Sequence, residues 1–188
     1  MTTDSSLVDH DGKLLGHVEL LHRPGERNVI CKVMDTLGFG VLDRPDQRYL
    51  IFNVDKARAN NATNVIYASE VTQEQWRFEQ LLQKDLGANK ELGQAFQDYV
   101  RLFKRKPQDA THFGIRMSVS MLEDAVKRVR AASKEGPLAG RVEVSATFYP
   151  GDPGSLSKTL VQAFIKTDVF AAGLLTLGQH VELQAVTA

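Results

Sequence analysis

The sequence predicts an α+β fold in which two tandem βαβββ modules form a curled mixed sheet and are joined by a helical connector. Three observations predict it. A histidine heads a strand-like segment twice, at His17 in "GHVELLHR" and at His112 in "THFGIRM". Each segment runs into an amphipathic helix and then into strand-like stretches, so the halves share one order of elements. The stretch between them reads as helix throughout.

Composition bounds the reading. A chain of 188 residues holds one domain with a real core, or two small halves packed as one. Lys+Arg 23 against Asp+Glu 23 leaves no net charge, hence no overall basic field for nucleic acid or an anionic membrane, and the expected partner is a small molecule. The single cysteine, Cys31, excludes an internal disulfide and a cysteine-based zinc cluster, and is expected to be a buried structural thiol. No apolar run reaches the roughly 18 residues of a membrane span, and a soluble, cytoplasmic protein is expected.

Residues 1–12 read as a flexible tail, 13–71 as the first module, 72–107 as the connector and 108–188 as the second module. "HVELLHR" alternates, with Val18 and Leu20 on one face and His17 and Glu19 on the other. "PGERNVICKVMDTLGFG" has Pro24 near its start, apolar residues at Val29, Ile30, Val33, Met34 and Leu37, and Gly38 past its last turn, the signals of a helix. "QRYLIFNVD" and "NVIYASEV" follow as strands, with "FGVLD" a possible third, and "ARANNATN" reads as a turn.

Thr72 followed by Gln75 is a capping-box pattern opening one connector helix, and "NKELGQAFQDYVRLFKR" is the other, ending before Pro107. Their aromatics Trp76, Phe78, Phe96, Tyr99 and Phe103 are expected to face the core. In the second module Phe113, Ile115 and Met117 share one strand face and His112, Gly114 and Arg116 the other. "SMLEDAVKRVRAA" is the helix, "GRVEVSATFYPG" and "TLVQAFIKT" are strands, and "GQHVELQAV" closes. Alternation alone sets Glu19, Asn53, Arg116, Ser145, Thr147, Tyr149 and Lys166 on the concave face.

With "HVELL" before a helix ending "DTLGFGVLD", "THFGIRM" before a second helix and the terminal "LGQHVELQ", the chain resembles the vicinal oxygen chelate superfamily. That superfamily includes glyoxalase I, extradiol dioxygenases, methylmalonyl-CoA epimerase and bleomycin resistance proteins. The resemblance spans Gly16 to Val186. It implies metal ligands on the first and last strands of the modules, in the order His17, Glu70, His112, Glu182. If Glu70 is not a ligand, two histidines and a carboxylate remain. The ion implied is Fe(II), Mn(II), Ni(II) or Zn(II), stabilising an enolate on a chelated oxygenated substrate.

In that reading Glu70 or Glu182 is also the general base, and Arg116, Tyr149 and Lys166 bind substrate. The activity is then of lyase, isomerase or dioxygenase type, in a homodimer. The alternative is a metal-free small-molecule binding or sequestering protein of the bleomycin resistance type. His10, His22 and His180 are read as structural, with His180 on the same face as Glu182.

Overall fold

The computed structural model describes residues 15–58 and 64–186; the expected tail at 1–12, His10 and residues 59–63 of the expected turn at 57–64 lie outside the described residues. The first module runs β1 (His17–His22), α1 (Arg27–Leu37), β2 (Gly40–Leu42), β3 (Tyr49–Asn53) and β4 (Val65–Glu70). The connector is α2 (Gln73–Ala88) and α3 (Lys90–Arg105). The second module runs β5 (His112–Arg116), α4 (Val119–Ala132), β6 (Val142–Phe148), β7 (Leu160–Thr167), β8 (Phe170–Ala171) and β9 (Gln179–Val186).

These strands make two mixed sheets, ordered β2-β3-β4-β1-β8 and β5-β9-β7-β6, and among the described residues neither closes into a barrel. Within each module the first strand pairs in parallel with the last, β1 with β4 and β5 with β9. The remaining pairs within each module are all antiparallel, so the two modules share one topology. The short β8 departs from the second module to pair with β1, Leu21 opposite Ala171 and His22 opposite Phe170, which interlocks the halves.

One core joins both modules. Leu20, Ile30, Met34 and Phe52 from the first pack with Leu122, Val126, Val181 and Leu183 from the second. Each such side chain contributes roughly 1.5–3 kcal/mol through removal of apolar surface from water. The helices α1 and α4 lie on this side, where Arg128 Nε donates to the Thr36 carbonyl at 2.8 Å. Gly38, at φ 98°, ends α1 in the left-handed conformation that glycine adopts without a Cβ penalty. Cys31 is half-buried against this core rather than enclosed by it.

The connector is held at both ends. Thr72 Oγ1 accepts from the Gln75 amide at 3.3 Å, and Asn89 ends α2 and caps α3 by accepting from the Leu92 amide at 3.0 Å. A Cβ on Gly93 would stand 2.6 Å from the Leu86 carbonyl oxygen, so glycine permits the close approach of the two helices. Glu79 is fully buried and accepts from the Leu175 amide (2.8 Å), the Thr176 amide (3.1 Å) and Thr176 Oγ1 (2.6 Å), fastening α2 to the turn before β9.

One sequence expectation fails inside β6. Val144 opposes Ile165 and Ala146 opposes Phe164, so Ser145 is the extra residue of a β-bulge. The bulge resets the alternation. Phe148 therefore meets Phe164, at 6.1 Å between ring centroids, while Thr147 and Tyr149 turn to the helix side, where they line a hollow with Leu122, Val126 and Arg130 of α4.

Candidate functional site

β5 is the edge strand of the second sheet and β9 is its parallel neighbour. Phe113 and Ile115 pack on the core, as do Val181 and Leu183, which leaves His112, Gly114, Arg116, His180, Glu182 and Gln184 on the opposite face. Register sets His112 beside His180, Gly114 beside Glu182 and Arg116 beside Gln184.

His112 Nδ1 lies 2.7 Å from the Ala110 carbonyl oxygen, so that nitrogen carries a proton and donates. Its Nε2 lies 3.2 Å from Glu182 Oε2. A hydrogen bond there needs one proton held between the two groups, as imidazolium on carboxylate or as imidazole under a carboxylic acid. The other carboxyl oxygen, Oε1, accepts from Gln162 Nε2. The Phe164 ring stands edge-on to His112 at 5.3 Å. A Cβ on Gly114 would lie 3.1 Å from Glu182 Oε2, so glycine keeps the face above that oxygen clear.

α3 roofs the inner part of this face. Phe103 packs on His180 with ring centroids 4.1 Å apart and planes tilted by 47°, and Lys104 Nζ meets Glu143 at 3.0 Å. His180 is fully buried, with Nε2 3.2 Å from Ser145 Oγ. Burial pushes its imidazole down to about 3, and the charges of Lys166 and His112 act the same way, so His180 is neutral at pH 7. Lys166 is half-buried beside it. Desolvation lowers its ammonium against the opposing pull of Glu143.

The expected metal ligands do not converge. His17 stands at the exposed start of β1 with its ring 5.3 Å from that of Tyr67, and Tyr67 in turn meets Tyr49 at 5.7 Å. Tyr67 lies opposite Glu19, two residues on from His17, as Glu182 lies opposite Gly114, two residues on from His112. The counterpart of Glu182 in the first module is thus Tyr67. Glu70 lies three residues further along β4, on the other face, where Oε2 accepts from the Gly25 amide at 3.0 Å. There it borders a groove of about 650 Å³ with His22, Arg27, Arg48 and Thr72, at the ends of β1 and β4.

Of the four residues, His112 and Glu182 are in direct contact. Among the described residues no group of three or more His, Cys, Asp or Glu side chains could hold a metal ion. Two side chains alone do not fit a resident divalent ion, which takes at least three protein ligands in firm sites. Of the expected substrate residues, Arg116 and Lys166 share the Glu182 face and Tyr149 does not, because of the bulge at Ser145.

The sequence pattern assigns no site role to Gln162 or Phe103, which both lie on this face. Gln162 is legible in hindsight, since "VQAFIK" alternates Gln162, Phe164 and Lys166 against Val161, Ala163 and Ile165. Phe103 is not, because nothing local tells which strand a connector helix will cover. His22, read as structural, is 1 % exposed, with Nδ1 2.9 Å from the Arg23 carbonyl and Nε2 without a partner among the described residues.

No family model matches the chain, and no curated protein matches it. Among solved structures it is similar to the crystal structure of a glyoxalase/bleomycin resistance protein/dioxygenase from Nocardioides, with 13% sequence identity and a TM-score of 0.40, over 96% of this chain and 88% of that one.

Proposed function

We propose that the chain binds a small oxygenated acid on the polar face of its second sheet, over Gly114, without a resident metal centre. The observation that carries this reading is the contact of His112 with Glu182 beside a glycine whose missing side chain leaves Glu182 Oε2 approachable. A ligand hydroxyl or amine donates to that oxygen. Two residues along the same strand, roughly 7 Å away at the rise of an extended chain, the exposed Arg116 supplies a fork suited to a carboxylate. The ligand class is therefore a small carboxylic acid bearing a hydroxyl or amine.

The test combines metal analysis of protein purified without added metal with a thermal-shift panel of small hydroxy, oxo and amino acids. Binding is expected without metal, to be lost in Gly114→Leu, and in Arg116→Met to be lost for the acids but kept for their uncharged amides. Stoichiometric metal that disappears in His112→Ala would overturn the metal-free reading and restore a lyase, isomerase or dioxygenase. No stabilisation by any acid would overturn the ligand class.

A further inference from the structure

The connector helices do not use all of their apolar surface. α3 meets the second sheet through Phe103, which is buried against His180, while Phe96 and Val100 are half-buried. Its remaining apolar residues, Leu92 (41% exposed), Tyr99 (43%) and Leu102 (40%), face solvent, as does Ala95. On α2, Phe78 and Leu81 are each 54% exposed. Both Phe78 and Tyr99 contradict the expectation that the connector aromatics face the core. An exposed apolar surface of this kind on a soluble chain marks an interaction site.

The spacing of the four α3 residues says what fits it. Leu92, Ala95, Tyr99 and Leu102 follow steps of three, four and three, the pattern of a coiled-coil seam. We propose that this seam pairs antiparallel with α3 of a second copy of the chain about a two-fold axis. In that register Leu92 meets the partner's Leu102, and the large Tyr99 meets the partner's small Ala95, so the seam is complementary to itself. Two-fold symmetry repeats each contact.

The flanking charges agree. Glu91, Asp98 and Arg105 occupy one side of the seam at seven-residue intervals. Antiparallel apposition sets Glu91 against the partner's Arg105, twice. Asp98, which would meet its own copy at the axis, is already ion-paired with Arg101 of its own helix. Phe103 on His180 and Lys104 on Glu143 hold α3 against the sheet, so that the seam faces outward.

Sedimentation of the full chain over a wide concentration range tests the proposal. The wild type is expected to dimerise reversibly. Leu92→Glu with Leu102→Glu should raise the dissociation constant by more than about tenfold, as loss of central apolar contacts does. Should that variant fail to fold, the charges decide. Glu91→Arg alone and Arg105→Glu alone should each weaken the dimer, and the two combined should restore it, with unchanged far-ultraviolet circular dichroism throughout. A wild type that stays monomeric overturns the proposal. So does a dimer that neither single charge reversal weakens.

Discussion

Tyr67 occupies, in the first module, the register position that Glu182 occupies in the second. Each faces the histidine that heads its module, Tyr67 at 5.3 Å between ring centroids from His17 and Glu182 at 3.2 Å from His112. The duplication thus supplies two equivalent frames, of which only the second carries an acid at this register position. The two pairs differ in burial: His17 is exposed, whereas Glu182 is buried and depends on its partners.

That asymmetry predicts unequal costs. His112→Ala leaves a buried carboxyl with Gln162 as its remaining partner, and is expected to cost about 1–3 kcal/mol, the range for an orphaned buried polar group. His17→Ala removes an exposed edge contact and is expected to stay within about 0.5 kcal/mol. Urea unfolding of both variants checks this. Equal costs would show that the His112–Glu182 contact contributes nothing particular to the second module.

His180 gives the protein a pH dependence of known sign. Its imidazole ionises at about 3 in the fold, because burial, Lys166 and His112 all oppose its charge, against about 6.5 in an unfolded chain. Below 6.5 the unfolded state takes up a proton that the folded state refuses. Stability contributed by the neutral form is therefore full above 6.5 and declines as pH falls toward 3. Between pH 7 and 5 the expected loss is about 2 kcal/mol. The wild-type profile of melting temperature against pH should fall more steeply over that window than that of His180→Gln. Parallel profiles would rule the effect out.

Much of the fold was legible because its signals are local. Gly38 stops α1, Thr72 caps α2, and alternation in β5 and β9 separates His112, Glu182 and Arg116 from the apolar residues between them. What escaped depends on register or on long-range packing. Glu70 looked like the partner of Glu182 by its order along the chain, yet two parallel strands pair by register, and Tyr67 takes that place. Tyr149 departs from its expected face because one inserted residue, Ser145, inverts the side chains that follow it. Phe78 and Tyr99 read as core residues because aromatics usually lie there, but α2 and α3 have more apolar surface than the fold covers.

Glu79 should prove the most sensitive residue of the connector. It is fully buried, and its carboxylate takes two amides and a hydroxyl from Leu175 and Thr176. Glu79→Ala strands those donors and is expected to cost about 2–4 kcal/mol, within the range for breaking buried charged hydrogen bonds. Glu79→Gln keeps the acceptor oxygen and should recover part of the loss. Hydrogen exchange distinguishes a local effect: the amides of Leu175 and Thr176 should lose protection well beyond those of β9. Uniform loss across the protein would mean that the connector and the turn do not open as a unit.

Arg141 joins the two modules through charge. Its Nη2 lies 2.9 Å from Glu26 Oε2 and its Nε 2.7 Å from Asp168 Oδ1, while Arg23 of the first module reaches Asp168 at 3.0 Å. Two arginines and two carboxylates thus bind the start of α1 to β6 and the end of β7. The side chains retain 21–35% exposure, so water screens them and the network is worth less than its distances suggest. Arg141→Met keeps the aliphatic stem and is expected to cost about 1 kcal/mol at low salt. That cost should shrink as ionic strength rises, because screening weakens the wild-type pairs while leaving the variant little changed. A cost independent of salt would assign the role of Arg141 to its hydrogen bonds and packing rather than to its charge.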